Sequence, residues 1–145
     1  MTGKKIKGNL FDAPEGYYLV HCISGDYALG AGIAKQFDRI FDMRSRLLQY
    51  YPIPKTQKFA NVGKALLVFN VFNLVTKDRY YNKPTYDSLK KTLVDMKRQC
   101  IQRDIKKLAM PLIGCGLDRL EWSNVRKIIC KVFNDTDIDI LIYIL

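Results

Sequence analysis

The sequence predicts an α/β fold, because short apolar runs of strand length alternate along it with amphipathic helical patterns. Two further observations agree. Glycine-bearing turns stand where strands would give way to helices, and a composition of 48% hydrophobic and 26% charged residues is that of an ordinary globular protein. A length of 145 residues leaves room for one core, so residues 1–145 are expected to form a single domain.

The elements follow in order. Residues 17–23 are a β-branched and aromatic run after Pro14-Glu15-Gly16 and predict a strand. A helix over residues 31–41 follows a glycine pair, with Ile33, Phe37 and Ile40 at helical spacing. Residues 44–50 read as a further helix stopped by Pro52 and Pro54, and residues 55–63 as a polar connection. Residues 64–71 predict a second strand and residues 73–76 a third. The longest helix spans residues 84–103, with Pro84 at an early helical position and Leu89, Leu93, Met96 and Cys100 on one face. Residues 108–113 predict a fourth strand. A helix over 121–133 carries Trp122, Val125, Ile129 and Val132 on one stripe, with Ser123 or Asp118 as its cap. Residues 138–145 predict a fifth strand, apolar to Leu145.

Several classes are excluded. No apolar run approaches the roughly 18 residues of a membrane span, and Met1-Thr2-Gly3-Lys4-Lys5 is no signal-peptide core, so a soluble protein of the cytoplasm, or of a nucleus, is expected. The four cysteines are scattered and His21 is the only histidine, which argues against a zinc site and against a histidine-based triad. No heptad or extended apolar surface stands out, so a monomer is expected. The excess of 24 basic over 14 acidic residues, +10 in net charge, favours nucleic acid or a phosphate-bearing ligand, or serves solubility alone. The basic residues form no single block.

Two glycine turns, each leading from a strand to a helix, are the best candidates for a site. In Gly30-Ala31-Gly32-Ile33-Ala34 small residues allow close approach of the backbone, and the following helix N-terminus favours an anion. In Ile113-Gly114-Cys115-Gly116-Leu117-Asp118 successive N–H groups can form an anion-binding nest. Either the glycines only make tight turns, or the two turns grip a pyrophosphate between them. Neither matches Gly-x-Gly-x-x-Gly or the Walker pattern, which removes support for dinucleotide redox chemistry and for triphosphate hydrolysis. Asp118 is either a base at the mouth of the second turn or a helix cap. Lys77 is either a nucleophile at a strand end or a solvated edge lysine. His21 and Cys22 fall in a buried strand and are expected to pack, while Cys115 lines the site as a small apolar surface.

Taken together, Gly8-Asn9-Leu10-Phe11, His21-Cys22-Ile23-Ser24, Gly30-Ala31-Gly32-Ile33-Ala34, Lys83-Pro84-Thr85-Tyr86 and residues 111–120 resemble the macro domain family. Within it they resemble the branch that releases terminal ADP-ribose from proteins. The resemblance implies a three-layer α/β/α domain with a mixed central sheet, binding ADP-ribose in a cleft at the strand ends. It places Asn9, Leu10, Ser24, Gly30, Ala31, Gly32 and Ile33 on the ligand, with Leu112, Ile113, Gly114, Cys115, Gly116 and Leu117 on the loop for the phosphates and distal ribose. Leu145 falls on the adenosine side. Lys77 matches a lysine that attacks the distal ribose and Asp118 an aspartate that assists and resolves the adduct. The implied reaction releases mono-ADP-ribose from glutamate and aspartate side chains of proteins without metal or further cofactor, with O-acetyl-ADP-ribose as a side substrate. A related branch implies removal of ADP-ribose from DNA bases, and other members are non-hydrolytic readers. Two departures stand out: there is no Asn-Ala-Ala-Asn stretch, and Asn9 replaces a common aspartate, so adenine would meet a neutral acceptor.

Overall fold

The computed structural model describes residues 1–55 and 61–145. Among the described residues six strands form one sheet: β1 (Thr2–Lys7), β2 (Tyr18–Ser24), β3 (Ala65–Val68), β4 (Val71–Lys77), β5 (Lys107–Met110) and β6 (Asp139–Ile144), in the order β1-β6-β5-β2-β4-β3. Neighbours run parallel except β3 and β4, so the sheet is mixed. Helices α1 (Gly32–Phe41) and α2 (Met43–Tyr50) cover one face, and α3 (Tyr86–Arg103) and α4 (Trp122–Phe133) the other, giving three α/β/α layers.

The strands read as continuous apolar runs because both faces are covered. Alternation sends Val20 toward Leu93 and Phe133, while Leu19 and Ile23 join Phe37 and Leu47 on the opposite face. On α3 the stripe of Leu89, Leu93, Met96 and Cys100 is buried as its spacing required. No helix is long and apolar enough to cross a membrane among the described residues.

Several boundaries differ from the sequence reading, each for a local reason. Strand β1 was not expected: its Lys4, Lys5 and Lys7 obscure the pattern, yet it pairs in parallel with β6 along its whole length. Its lysines suit an edge strand, where they discourage pairing with another chain. The expected strands over 64–71 and 73–76 are instead a hairpin of β3 and β4. Phe69 makes the turn at φ 52, where glycine would have announced it, and the Arg46 guanidinium lies over its ring at 4.6 Å.

Pro84 precedes the N-cap of α3 rather than opening the helix. Thr85 accepts from Ser88 N–H and Ser88 accepts from Thr85 N–H, a reciprocal cap. Neither Ser123 nor Asp118 caps α4; Glu121 holds that position without a side-chain bond. The strand expected over 108–113 ends at Met110, and Ile40 on α1 is half exposed rather than packed on the sheet. Of the connection expected over 55–63, residues 56–60 lie outside the described residues; Gly63 already pairs with Val75 ahead of β3.

Candidate functional site

A cleft of about 880 Å³ opens at the carboxyl ends of the parallel strands. The chain leaves β2 for β3 on the far side of β4, and the crossover from β4 then returns past β2 to β5, so these connections run to opposite sides of β2. Open α/β sheets bind ligands at such a switch point. Every residue expected to touch the ligand lines this cleft: Asn9 and Leu10 after β1, Ser24 at the end of β2, Gly30, Ala31, Gly32 and Ile33 at the start of α1, residues 112–117 after β5, and Leu145 after β6. Lys77 and Asp118 line it too.

The two glycine turns face each other. Gly32 takes φ 59, and a Cβ added there would stand 3.6 Å from Leu117 Cδ1, so the start of α1 and the loop after β5 approach side by side. Ala31 caps α1 without a side-chain bond, which leaves the first turn's N–H groups to whatever enters the cleft. The opposite loop folds on itself through Cys115 N–H to Leu112 O and Leu120 N–H to Gly114 O. Gly114 sits at φ 72, with Leu120 Cδ1 3.0 Å from where a Cβ would be, so a side chain there would be strained in its backbone and would have to displace Leu120.

Lys77 Nζ donates to Asp118 Oδ1 at 2.6 Å, with both side chains more than four-fifths buried. Of the alternatives the sequence left open, Asp118 is no helix cap and Lys77 no solvated edge residue. The lysine's backbone is fixed from two sides. A register shift between Ile23 and Ser24 sets Ser24 opposite Lys77, and Gly25 N–H donates to Lys77 O at 2.8 Å. On the other side Ser88 Oγ, part of the α3 cap, donates to Thr76 O.

His21 is fully buried and away from the cleft. Its ring stacks on Phe37 at 3.9 Å and its Nε2 meets Asn73 Oδ1, while burial pulls its pKa down to about 4. An imidazole so placed stays neutral and remote from any ligand. Cys22 does line the cleft, although the sequence suggested packing alone. Burial, helped by the charge of Asp118, pushes its thiol up to about 12, and burial also raises Cys115; neither supplies a thiolate.

Sequence reasoning gave no site role to Tyr80 or Lys83, both cleft-lining, nor to Asp26. Asp26 accepts from Ser24 Oγ, Ala28 N–H and Tyr80 N–H, and so ties the loop after β2 to the loop after β4. The available signal was the basic and aromatic run Arg79-Tyr80-Tyr81-Asn82-Lys83 directly beyond Lys77. Asn9 spends its side-chain oxygen on Phe11 N–H at 2.9 Å.

Comparison with known proteins agrees with this geometry. The macro domain family model matches residues 20–129. The ADP-ribose glycohydrolase OARD1 of Bos taurus is 44% identical over 141 residues, covering 97% of this chain and 90% of that protein. OARD1 of Homo sapiens is 43% identical over the same shares. Among solved structures, the macrodomain of Thermus aquaticus DarG has a TM-score of 0.83 at 21% identity, covering 99% of each chain, a likeness of fold.

Proposed function

The chain belongs to the macro domain family, and from that premise we propose that it is a glycohydrolase releasing terminal ADP-ribose from glutamate and aspartate side chains of proteins. One observation carries the reading: an amine and a carboxylate in contact at 2.6 Å in a cleft of nucleotide size. A module that only reads ADP-ribose needs no such pair for its chemistry, which favours the enzyme over the reader. The relatives named ADP-ribose glycohydrolase, similar over nearly the whole chain, support the same reaction.

In this mechanism the diphosphate lies between the start of α1 and the loop of residues 112–117, where main-chain N–H groups and the α1 dipole favour its charge. The distal ribose then stands over Lys77. Asp118 accepts a proton from Lys77, whose amine attacks the anomeric carbon. The carbon–nitrogen bond forms as the bond to the carboxyl oxygen breaks, and the leaving carboxyl group departs with the electron pair and takes the proton from Asp118, which is a carboxylate again. The adduct opens to an imine as the ring carbon–oxygen bond breaks and the nitrogen's proton passes to the ring oxygen, and water then adds to the same carbon while giving a proton to the Asp118 carboxylate. That proton returns to the lysine nitrogen as the carbon–nitrogen bond breaks, freeing ADP-ribose. The protein acts in this reading as a single-domain monomer, without metal.

The test incubates the protein with a glutamate-linked mono-ADP-ribosylated peptide and, in parallel, with ADP-ribosylated single-stranded DNA, and follows released ADP-ribose. Lys77→Ala and Asp118→Ala should each slow release by about 10²–10⁴-fold, the range of a lost proton-transfer group. Undiminished release by both variants overturns the mechanism. Release from DNA alone reassigns the acceptor.

A further inference from the structure

One carboxylate beside the cleft is committed entirely to its neighbours. Asp26 Oδ1 accepts from Ser24 Oγ and Ala28 N–H, and its Oδ2 accepts from Tyr80 N–H at 3.0 Å. All three partners line the cleft, and Asp26 stands behind them. The Ser24 hydroxyl is the informative partner. An ionised carboxylate can only accept, so the one proton of that hydroxyl is directed at Asp26 and its lone pairs are left over. Among the described residues no group donates to them. Ser24 lies opposite Lys77 in the sheet register, about 5 Å away along the backbone, the spacing of neighbouring strands.

We propose that Asp26 is a positioning residue that sets the specificity of the cleft: by holding the Ser24 proton it makes that hydroxyl an obligate acceptor, which selects a ligand with a free hydroxyl on the sugar beside Lys77. The proposal deepens the reading of the cleft as an ADP-ribose site and rests on it, since that reading brings the terminal ribose over Lys77. A ribose hydroxyl that donates to Ser24 completes a chain of hydrogen bonds ending on the charge of Asp26, which strengthens each link. A group that can only accept, such as a phosphate oxygen, would meet lone pairs with lone pairs. The start of α1 has the opposite polarity, because its first N–H groups are free to donate. Acceptor at one end and donors at the other fix which way round a sugar diphosphate lies.

The backbone of this segment is held at other points as well. Tyr27 and Leu29 adopt left-handed backbone at φ 53 and φ 46, and both are buried. Tyr27 N–H donates to Ser24 O, while its hydroxyl donates to Tyr51 O and accepts from Asn61 Nδ2. Removing the Asp26 carboxylate therefore frees the Ser24 hydroxyl to turn before it frees the chain.

Calorimetry of ADP-ribose against its 2″-deoxy and 3″-deoxy analogues, each lacking one hydroxyl of the terminal ribose, tests this. The wild type should bind at least one analogue about three- to tenfold more weakly than ADP-ribose, the range of one net hydrogen bond. Ser24→Ala should close that gap. Asp26→Ala should close most of it by weakening ADP-ribose and sparing the analogue, and should change the ratio no further in a Ser24→Ala background. Asp26→Asn keeps an oxygen for Ser24 and Ala28 and loses only the Tyr80 bond, so it should retain the gap. Thermal melting establishes that each variant is folded.

Equal weakening of ADP-ribose and both analogues by Asp26→Ala would make Asp26 a purely structural residue and overturn the proposal. So would a wild type that binds both analogues as tightly as ADP-ribose. The expected pattern without release of ADP-ribose from a glutamate-linked peptide upholds the role of Asp26 and overturns the hydrolytic mechanism alone, whereas absence of ADP-ribose binding overturns both.

Discussion

Lowering the pH from 7 to 5 is expected to cost the fold about 2 kcal/mol through His21 alone. The side chain is completely buried, stacked on Phe37 of α1. Asn73 Nδ2 donates to Leu66 O, which fixes Asn73 Oδ1 as an acceptor, so His21 Nε2 carries the proton. Nδ1 then bears a lone pair with no partner among the described residues. Protonating it would place a cation in the core, and burial therefore lowers the pKa from 6.5 to about 4, against the opposing pull of the Asn73 bond.

The sign follows from the two states. Above pH 6.5 both are neutral and His21 adds no slope. As pH falls through 6.5 the unfolded chain takes a proton that the folded one refuses, and stability drops by about 1.4 kcal/mol per pH unit until about pH 4. Asp139, whose pKa is lowered by hydrogen bonds from Tyr17 and Thr2, gives up its contribution only as pH falls below the ordinary 3.8, so the windows separate. Because His21 is the only histidine, its ring protons in an NMR titration report directly, and urea unfolding at pH 7, 6 and 5 gives the energy. His21→Gln should flatten the slope. An imidazole titrating near 6.5 in the folded protein, or a urea midpoint constant from pH 7 to 5, would refute the reasoning.

The remaining expectations are local. Phe37→Ala removes a fully buried ring that holds α1 to β2 and should cost about 3–5 kcal/mol by urea unfolding. Gly114→Ala puts a Cβ 3.0 Å from Leu120 Cδ1 at φ 72; it should lower stability by about 1 kcal/mol or more in thermal melts and slow ADP-ribose release by displacing the loop that carries Asp118. Thr85→Ala removes the α3 cap and should cost about 1 kcal/mol. Asn9→Asp keeps one oxygen for Phe11 N–H and offers a second, charged one, so it should tighten ADP-ribose binding severalfold by calorimetry, since charge-assisted hydrogen bonds are roughly twice as strong as neutral ones.

Where one physical signal dominated, the sequence was legible. The stripe of α3 and the apolar runs of β2, β4 and β6 follow from burial on one face of a helix or both faces of a parallel strand. Strand β1 was hidden because an edge strand needs apolar residues least, and lysines there are protective. The β3–β4 turn was hidden because Phe69 adopts a left-handed backbone. In the site, both glycine turns were visible from composition. The clasp made by Asp26 was not, since its partners Ser24, Ala28 and Tyr80 come together only when the ends of β2 and β4 lie side by side.

The pairing of Lys77 with Asp118 shows why chain position alone could not announce it. Lys77 ends β4, while Asp118 belongs to the loop that leaves β5, and β2 lies between those strands. Two strand spacings, roughly 10 Å, separate β4 from β5, so the two residues sit on strands that are not neighbours. The loop closes that gap. By folding back through Gly114 it carries Asp118 over the end of β2, where the shifted register at Ser24 and the bond from Gly25 hold Lys77. Each partner therefore depends on a different backbone irregularity, a bulge on one side and a left-handed glycine on the other, and the 2.6 Å contact exists only while both persist.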